Sequence, residues 1–593
     1  MPPSPAVLEA TTTSGFLLVL AIVLPVVGAL LAFATGGRAL ERIALATLPL
    51  GLVVAAAIAF ATASAGAPLV YLLGGWAPPL GVALRADGLS AVMVAVTAVV
   101  ICAIGVFARA DFRTPVQSIE ARAPFAFWIL LLAIWAALNA AFLAGDLFTV
   151  YVALELLTFA AVPVVSLNGR AETLQAALSY LLFALVGSVL YLVGTVLLYG
   201  AYGTLDIVLL SRRVHAEPAT LVAATLMTVG LLAKTALFPL HLWLPPAHAG
   251  APAAGSAVLS ALVVKGSLFI VVRLWFNVMP GVPGFTATQL LGGLGAAAIL
   301  FGSVVALRQE RLKLLIAYST LAQIGYLFLM FPLAFAAASA QLENGAALAG
   351  GLLQAISHAT AKAAMFMSAG LISAALGHDR IAMLGGVGRV LPLSVLAFAV
   401  AGVALIGVPP SGAYLAKELL LGAAFATEQW WWAVVVQAGG IFTSAYLVMV
   451  LVHTLAPATR PLIPLVPVSW YQEAAALALA LCSLLLGLVA WDAYLPVPHD
   501  TLSSPLSLET LSRALWPILA GAVLAILLGR WRNWPRAPLH GYAVAIAAPA
   551  RRGALALVGI LERADVMLRQ WPVAGLSLLA LSTALGASVL AAH

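Results

Sequence analysis

The chain has 593 residues, 64% of them hydrophobic and only 8% charged, with a net charge of +7. A soluble protein of this length carries roughly a quarter charged residues, so the composition excludes a soluble globular fold and requires a polytopic membrane protein. The positive balance does not indicate nucleic-acid binding, because the basic residues flank apolar segments instead of clustering on one face.

A transmembrane helix needs roughly 20 apolar residues. About sixteen segments meet that demand, and an all-α fold is expected. They fall near 15–35, 39–62, 87–107, 123–144, 147–167, 173–200, 219–240, 254–279, 285–307, 312–332, 345–376, 388–421, 430–454, 471–492, 511–529 and 571–591. The seventh and twelfth carry prolines beside a lysine, so both are expected to be broken helices lining a protein cavity. The N-terminus has Glu9 and no basic residue ahead of the first span, unlike a cleaved signal peptide.

With the N-terminus outside, inside loops collect 19 basic residues and outside loops 5. The positive-inside rule then places both termini outside, in the inner (cytoplasmic) membrane of a cell. Arg212 and Arg213 are local exceptions. Residues 540–570 mix Arg551, Arg552, Glu562, Arg563, Asp565 and Arg569 with aliphatics. That pattern fits a basic amphipathic helix on the inner membrane surface and, equally, a solvated connector.

Only Cys102 and Cys482 are present, with no C-x-x-C pair, no P-loop and no G-x-G-x-x-G. No redox or hydrolytic site is readable, and neither a cofactor nor a metal is expected in this chain.

The lysines carry the strongest signal. There are five, and four of them (Lys234, Lys265, Lys362 and Lys417) lie inside apolar segments, while arginine supplies the other 23 basic residues and sits almost wholly in loops. Lysine can release its proton when its surroundings change and arginine effectively cannot. An ionisable group in the bilayer is a functional-site candidate by default. Lys313, at the edge of a span, reads as a topology charge.

Glu155 lies about 13 Å along its helix from Asp146, near mid-span. Either it is a lone protonated acid at a helix contact or it faces a lysine, since an unpaired buried charge is costly. Asp146 is expected to cap the helix. Lys234 precedes Pro239 by five residues, and the weakened helix would free carbonyls and admit water. His241 and His248 follow in the proline-rich break, with no third metal ligand at hand; they read as proton carriers or as braces. His358 and Lys362 are four apart, hence neighbours on one face. Lys417 has two readings: a surface ion pair with Glu418, or a buried exit group. Trp430–Trp431–Trp432 reads as an interfacial belt.

In order, these segments resemble the proton-translocating antiporter family of respiratory complex I membrane subunits, membrane hydrogenase subunits and Mrp-type cation/proton antiporters. The resemblance runs from about Gly145 to His453. It rests on Glu155, on Leu232–Ala–Lys234 through His248–Ala–Gly–Ala–Pro252, and on Ser256 to Lys265. It continues through Leu312 to Tyr326, His358 to Gly370, and Gly407–Val–Pro–Pro–Ser–Gly–Ala–Tyr–Leu–Ala–Lys417. Gln323 and Ser260 stand where the complex I type often carries histidine, which brings the chain nearest the D-type Mrp subunit. Pro246 replaces a usual acid, Ala249 and Gly250 replace bulkier or acidic positions, and Ala413 replaces a usual glycine.

The resemblance implies three N-terminal helices over 1–122, a first five-helix repeat over 123–279 and a second, inverted repeat over 285–454. The C-terminal spans then occupy 455–593. It also implies a proton relay through Glu155, Lys234, Lys265, His358, Lys362 and Lys417, with His241, His248 and Gln323 as accessories. Partners would be other membrane subunits of a hetero-oligomeric complex. The ions handled would be protons, with sodium or another cation exchanged if the assembly is an Mrp-type antiporter. If it is a complex I-like oxidoreductase or membrane hydrogenase, partner subunits would handle the electrons.

Overall fold

The computed structural model describes residues 10–115, 118, 120–282, 284–335, 344–458, 462, 464–497, 508–528, 556 and 559–592. Among them, fourteen helices are long and apolar enough to cross a membrane, from Phe16–Thr35 to Trp571–Leu590, and each occupies one of the expected segments. The other two expected spans do not reach that length as apolar helices. The twelfth is split into Pro392–Ile406 and Gly412–Ala426. Near the C-terminus, Leu508–Leu528 is helical with a shorter apolar stretch, Leu515–Ile526. The expected sixteen segments are thus fourteen full-length helices, a twelfth broken into two short helices as anticipated, and one helix with a shorter apolar stretch.

Burial divides the helices by position. Phe16–Thr35 and Trp571–Leu590 are each only 28% buried along their most apolar window, whereas Ala253–Val278 and Leu312–Ala334 are 94% buried. Apolar residues all round a helix are stable in lipid or in a core. The two most buried helices are therefore central, and they carry Lys265 and Ser319. One non-helical element was not anticipated. Strands Leu69–Leu72 and Ala83–Ala86 pair antiparallel as a hairpin, with Leu69 opposite Ala86. Thr12 fixes it by accepting from Val70 N at 3.1 Å, and Arg85 pins it to Asp206 at 2.7 Å.

Close helix contacts are made by glycine. A β-carbon on Gly230 would lie 2.3 Å from the Gly187 carbonyl oxygen, and one on Gly187 would lie 2.5 Å from the Gly230 oxygen. The Pro218–Thr235 helix, which carries Lys234, thereby seats directly against Ala171–Tyr202. Without a hydrophobic drive inside lipid, such small-residue contacts let backbones approach and gain packing energy.

The C-terminal helices embrace the core. Leu508–Leu528 packs on Trp430–Leu455, while Trp571–Leu590 packs on the Lys234 helix and on Phe285–Arg308. Of the expected amphipathic segment, residues 540–555 and 557–558 lie outside the described residues, and residues 559–568 are helical. Trp430 and Trp431 are exposed and Trp432 is buried, so only two of the three can serve as an interfacial belt.

Candidate functional site

The seventh span ends at Thr235. Ala236 follows in the left-handed region, at φ 58°, a conformation that a β-carbon disfavours. Pro239 then prevents the helix from resuming at once. Trp243 Nε1 reaches back to donate at 3.0 Å to the Ala233 carbonyl, which also accepts from Ala236 N, and so ties the loop to the end of the helix. The chain becomes helical again at Leu244–Gly250. Such locally strained breaks persist where the surroundings over-determine them, often at functional sites.

Lys234, one residue before the end, points across to the Glu155 helix. Its Nζ lies 3.5 Å from Glu155 Oε1 and donates to Thr158 Oγ1 at 2.8 Å. Of the two readings for Glu155, the paired one holds. Asp146 caps the same helix by accepting from Phe148 N and Thr149 N, as expected. Thr158 was not singled out in the sequence, although it sits three residues from Glu155 on the same helical face. A small cavity lined by Leu154, Thr158, Tyr180, Lys234, Val263 and Ser267 opens beside the ammonium.

Lys265 lies on the adjacent helix, past a π-helical turn at Leu259–Val263. That turn widens the hydrogen-bond ladder, and Lys265 Nζ donates to the Ser260 carbonyl inside it. Two hydroxyl pairs link this helix to its neighbours. Thr235 and Ser267 are 3.0 Å apart, which joins the Lys234 helix to the Lys265 helix. Ser260 and Thr320 are 3.0 Å apart, which joins it to Leu312–Phe328.

That last helix works as a spine. Ser319 accepts from Lys362 Nζ at 2.5 Å. Gln323 accepts from Gln354 at 2.8 Å and donates to Thr443 at 3.1 Å. Tyr326 presents its ring to Lys417 Nζ, 5.2 Å from the centroid. Positions 319, 323 and 326 are spaced i, i+4, i+7, so they form one stripe on one helix face. Ser319 and Tyr326 were legible as motif residues, but nothing in the sequence assigned them a lysine each.

Lys417 follows the second break. Pro392–Ile406 stops at Gly407, φ 92°, a backbone geometry that only glycine adopts without penalty. The chain restarts at Gly412, capped by Ser411. Lys417 Nζ donates to the Ile406 carbonyl at 2.7 Å, an acceptor the break exposes. The lysine therefore turns inward, and the surface reading is replaced by a half-buried one. A cavity of about 470 Å³ lined by Lys417, Glu418, Tyr414, Gln437, Trp516 and Pro517 lies at this point.

The histidines behave differently from one another. His358 is fully buried, and its ring nitrogens have no hydrogen-bond partner in the protein. The expected His358–Lys362 pair shares a helix, yet Lys362 turns to Ser319 and Ile316 instead. His248 is buried with both ring nitrogens unpartnered and stacks on Phe366 at 4.7 Å. His241 is buried in the break and faces the Asp565 carboxylate at 3.5 Å. Lys313 donates to the Ala251 carbonyl at 2.8 Å and so ties down the end of the broken segment. Burial without a hydrogen bond is expensive, and both ring nitrogens of His241, His248 and His358 lack one within the described residues.

Glu155, Lys234, Lys265, Lys362 and Lys417 thus sit on separate helices joined by hydroxyls, amides and carbonyls. Of these, a hydroxyl both donates and accepts, whereas a carbonyl only accepts and so holds an ammonium without relaying its proton.

Residues 144–443 match the family described as NADH:quinone oxidoreductase/Mrp antiporter, transmembrane. NADH-quinone oxidoreductase subunit N of Desulforudis audaxviator (strain MP104C) is 32% identical over 414 residues, covering 68% of this chain and 80% of that protein. The D-type subunit of the Na(+)/H(+) antiporter of Alkalihalophilus pseudofirmus (strain ATCC BAA-2126 / JCM 17055 / OF4) is 28% identical over 441 residues, 74% of this chain and 86% of the other. In three dimensions the chain is similar to a chain of the Mrp complex from Dietzia sp. DQ12-45-1b, with TM-score 0.73 and 23% identity over 87% of this chain and 97% of that one. It is also similar to a chain of an archaeal membrane-bound sulfane sulfur reductase, with TM-score 0.71 and 24% identity over 86% and 99%. At these identities the structural likeness establishes the fold. The length and identity of the sequence match establish more: this multi-pass membrane protein belongs to the NADH:quinone oxidoreductase/Mrp antiporter transmembrane family.

Proposed function

We propose that the chain is a proton-translocating membrane subunit of a multi-subunit Mrp-type cation (sodium)/proton antiporter. The observation that carries the reading is the Glu155–Lys234 contact of 3.5 Å beside the break at Ala236. When Glu155 moves away, Lys234 loses the negative charge that favours its protonated form, and burial favours release of the proton. Lys265, Lys362 and Lys417, each held by one or more oxygens, would receive it in turn through the hydroxyl links. The Na(+)/H(+) antiporter relatives support the cation/proton assignment. In this reading the membrane is the inner one and both termini face outward, a topology supported by the arginine distribution. The helices over 123–279 and 285–454 act as inverted repeats, each broken beside its own lysine.

A second reading is favoured by the relative from an NADH-quinone oxidoreductase, 32% identical: the same path would serve a redox-driven pump whose electron carriers lie in other subunits.

The test is Lys234→Ala in the purified assembly reconstituted in vesicles. Formation of a pH gradient should be lost while the complex stays intact; an unchanged gradient refutes the proposal. The proteins that co-purify separate the two readings. Small integral antiporter subunits select the first, and iron–sulfur subunits the second.

A further inference from the structure

Asp565 lies outside the family match, in the helical stretch 559–568 that precedes the last span. It is nevertheless only 4% exposed. Three elements of the fold meet it. Tyr318, from the spine helix and adjacent to the Ser319 that holds Lys362, donates to Oδ2 at 2.7 Å. Arg569, one turn further along the same stretch, lies 2.9 Å from the same oxygen. His241, in the break just after Lys234, places Nε2 3.5 Å from Oδ1. A second contact clamps the stretch from the side, Arg308 Nε to Glu562 Oε1 at 2.8 Å.

The two faces of the carboxylate are unequal. Oδ2 is fully engaged, while Oδ1 and both ring nitrogens of His241 are buried with no hydrogen bond of their own. Two facing polar atoms, each short of a partner, cost free energy unless something else is exchanged between them. A proton is the smallest candidate. Burial pushes the Asp565 carboxyl up, but its contacts with His241, Arg569 and Tyr318 outweigh that push and hold it below its usual range.

We infer that Asp565 and His241 form a further protonation site, shared between the helix break and the C-terminal segment, that exchanges protons with the buried path. The inference rests on the proton-path reading above. In the step itself the His241 Nε2–H bond breaks and an Asp565 Oδ1–H bond forms, or the reverse. Imidazolium and carboxylate become neutral imidazole and neutral carboxyl, and the proton count is conserved.

The experiment is the pH profile of proton transport by the reconstituted complex carrying Asp565→Asn. Loss of the negative charge makes the pair bind its proton less tightly, so the alkaline limb of the profile should move about 1 pH unit lower. Asp565→Glu should bring the limb back. Glu562→Gln, which breaks the Arg308 clamp but leaves the carboxylate, should not move it. A uniform fall in rate with an unmoved limb would make Asp565 a mechanical strap and overturn the site. Should Asp565→Asn fail to assemble, His241→Gln, which removes the protonating ring altogether, should abolish that limb; a limb left at its wild-type position there also overturns the site. Failure of the underlying path would instead appear as wild-type transport by Lys234→Ala.

Discussion

The hydroxyls of Thr235 and Ser267 hydrogen-bond at 3.0 Å between two different helices. Each stands next to a buried lysine, Thr235 beside Lys234 and Ser267 two residues past Lys265. Both hydroxyls are buried, and Ser267 also lines the cavity beside the Lys234 ammonium. A hydroxyl both accepts and donates, so this pair connects the Glu155–Lys234 end of the site to the Lys265 helix without charge in between. The Ser260–Thr320 pair repeats the device one helix further on, at the same 3.0 Å.

Thr235→Val keeps the shape of the side chain and removes the hydroxyl. Breaking the link should slow proton transport about 100-fold or more, the range for loss of one positioned proton-transfer group. The folding cost should stay near 1 kcal/mol. Proteoliposome transport and the thermal midpoint of the purified complex measure the two effects separately. A rate fall no larger than the stability change explains would deny the link a role.

Glu155→Gln retains size and polarity but removes the charge 3.5 Å from Lys234. Lysine should then hold its proton less well, and transport should fall nearly as far as in Lys234→Ala. Lys234→Arg should also impair transport, because the guanidinium keeps its proton at any working pH. Full transport by Lys234→Arg would mean that the position needs a fixed positive charge and not a titrating one.

Much of this arrangement could be read from the sequence, and the unread part has a common cause. Glu155, Lys234 and the break near Pro239 were legible because charge in an apolar run and proline after a lysine are local signals. The partners of Lys265 and Lys417 were not, since both are backbone carbonyls, at Ser260 and Ile406, and every residue carries one. A π-turn and a left-handed glycine decide which carbonyl turns inward, and neither follows from residue type. Asp565 was visible only as one charge in a mixed segment, because 324 residues separate it from His241. The twelfth segment was expected to break and does so from Gly407 to Ser411, but the exact place is set by a left-handed glycine and could not be read from composition.

Lys417 separates a path residue from a surface charge. It donates to Ile406 O and sits over the Tyr326 ring, so Lys417→Ala should abolish most transport. Tyr326→Leu removes the ring face that helps hold the ammonium, an attraction of about 0.5–2 kcal/mol. It also removes the hydroxyl that donates to Val436 O at 3.1 Å. Tyr326→Phe removes only the hydroxyl. Transport should therefore fall further in Tyr326→Leu than in Tyr326→Phe; equal losses would assign the effect to the hydroxyl and leave the ring without a part.

Gly230 tests whether the Lys234 helix must sit as close to Ala171–Tyr202 as it does. A β-carbon there would meet the Gly187 carbonyl oxygen at 2.3 Å and its carbon at 3.2 Å. The third atom it meets is the Leu190 β-carbon at 3.2 Å, which moves only with its backbone, so no side chain can swing away and the helices must separate. Overpacking of this kind costs about 1–3 kcal/mol. Lys234 lies one turn beyond Gly230, so separation would move its ammonium relative to Glu155 and Thr158, which are held by a third helix. Gly230→Ala should therefore lower transport by more than it lowers the amount of assembled complex, whereas Gly200→Ala, on the same partner helix with open space around it, should change neither. If Gly230→Ala reduced assembly alone, with full transport per assembled complex, the close approach would serve packing and not the placement of the lysine.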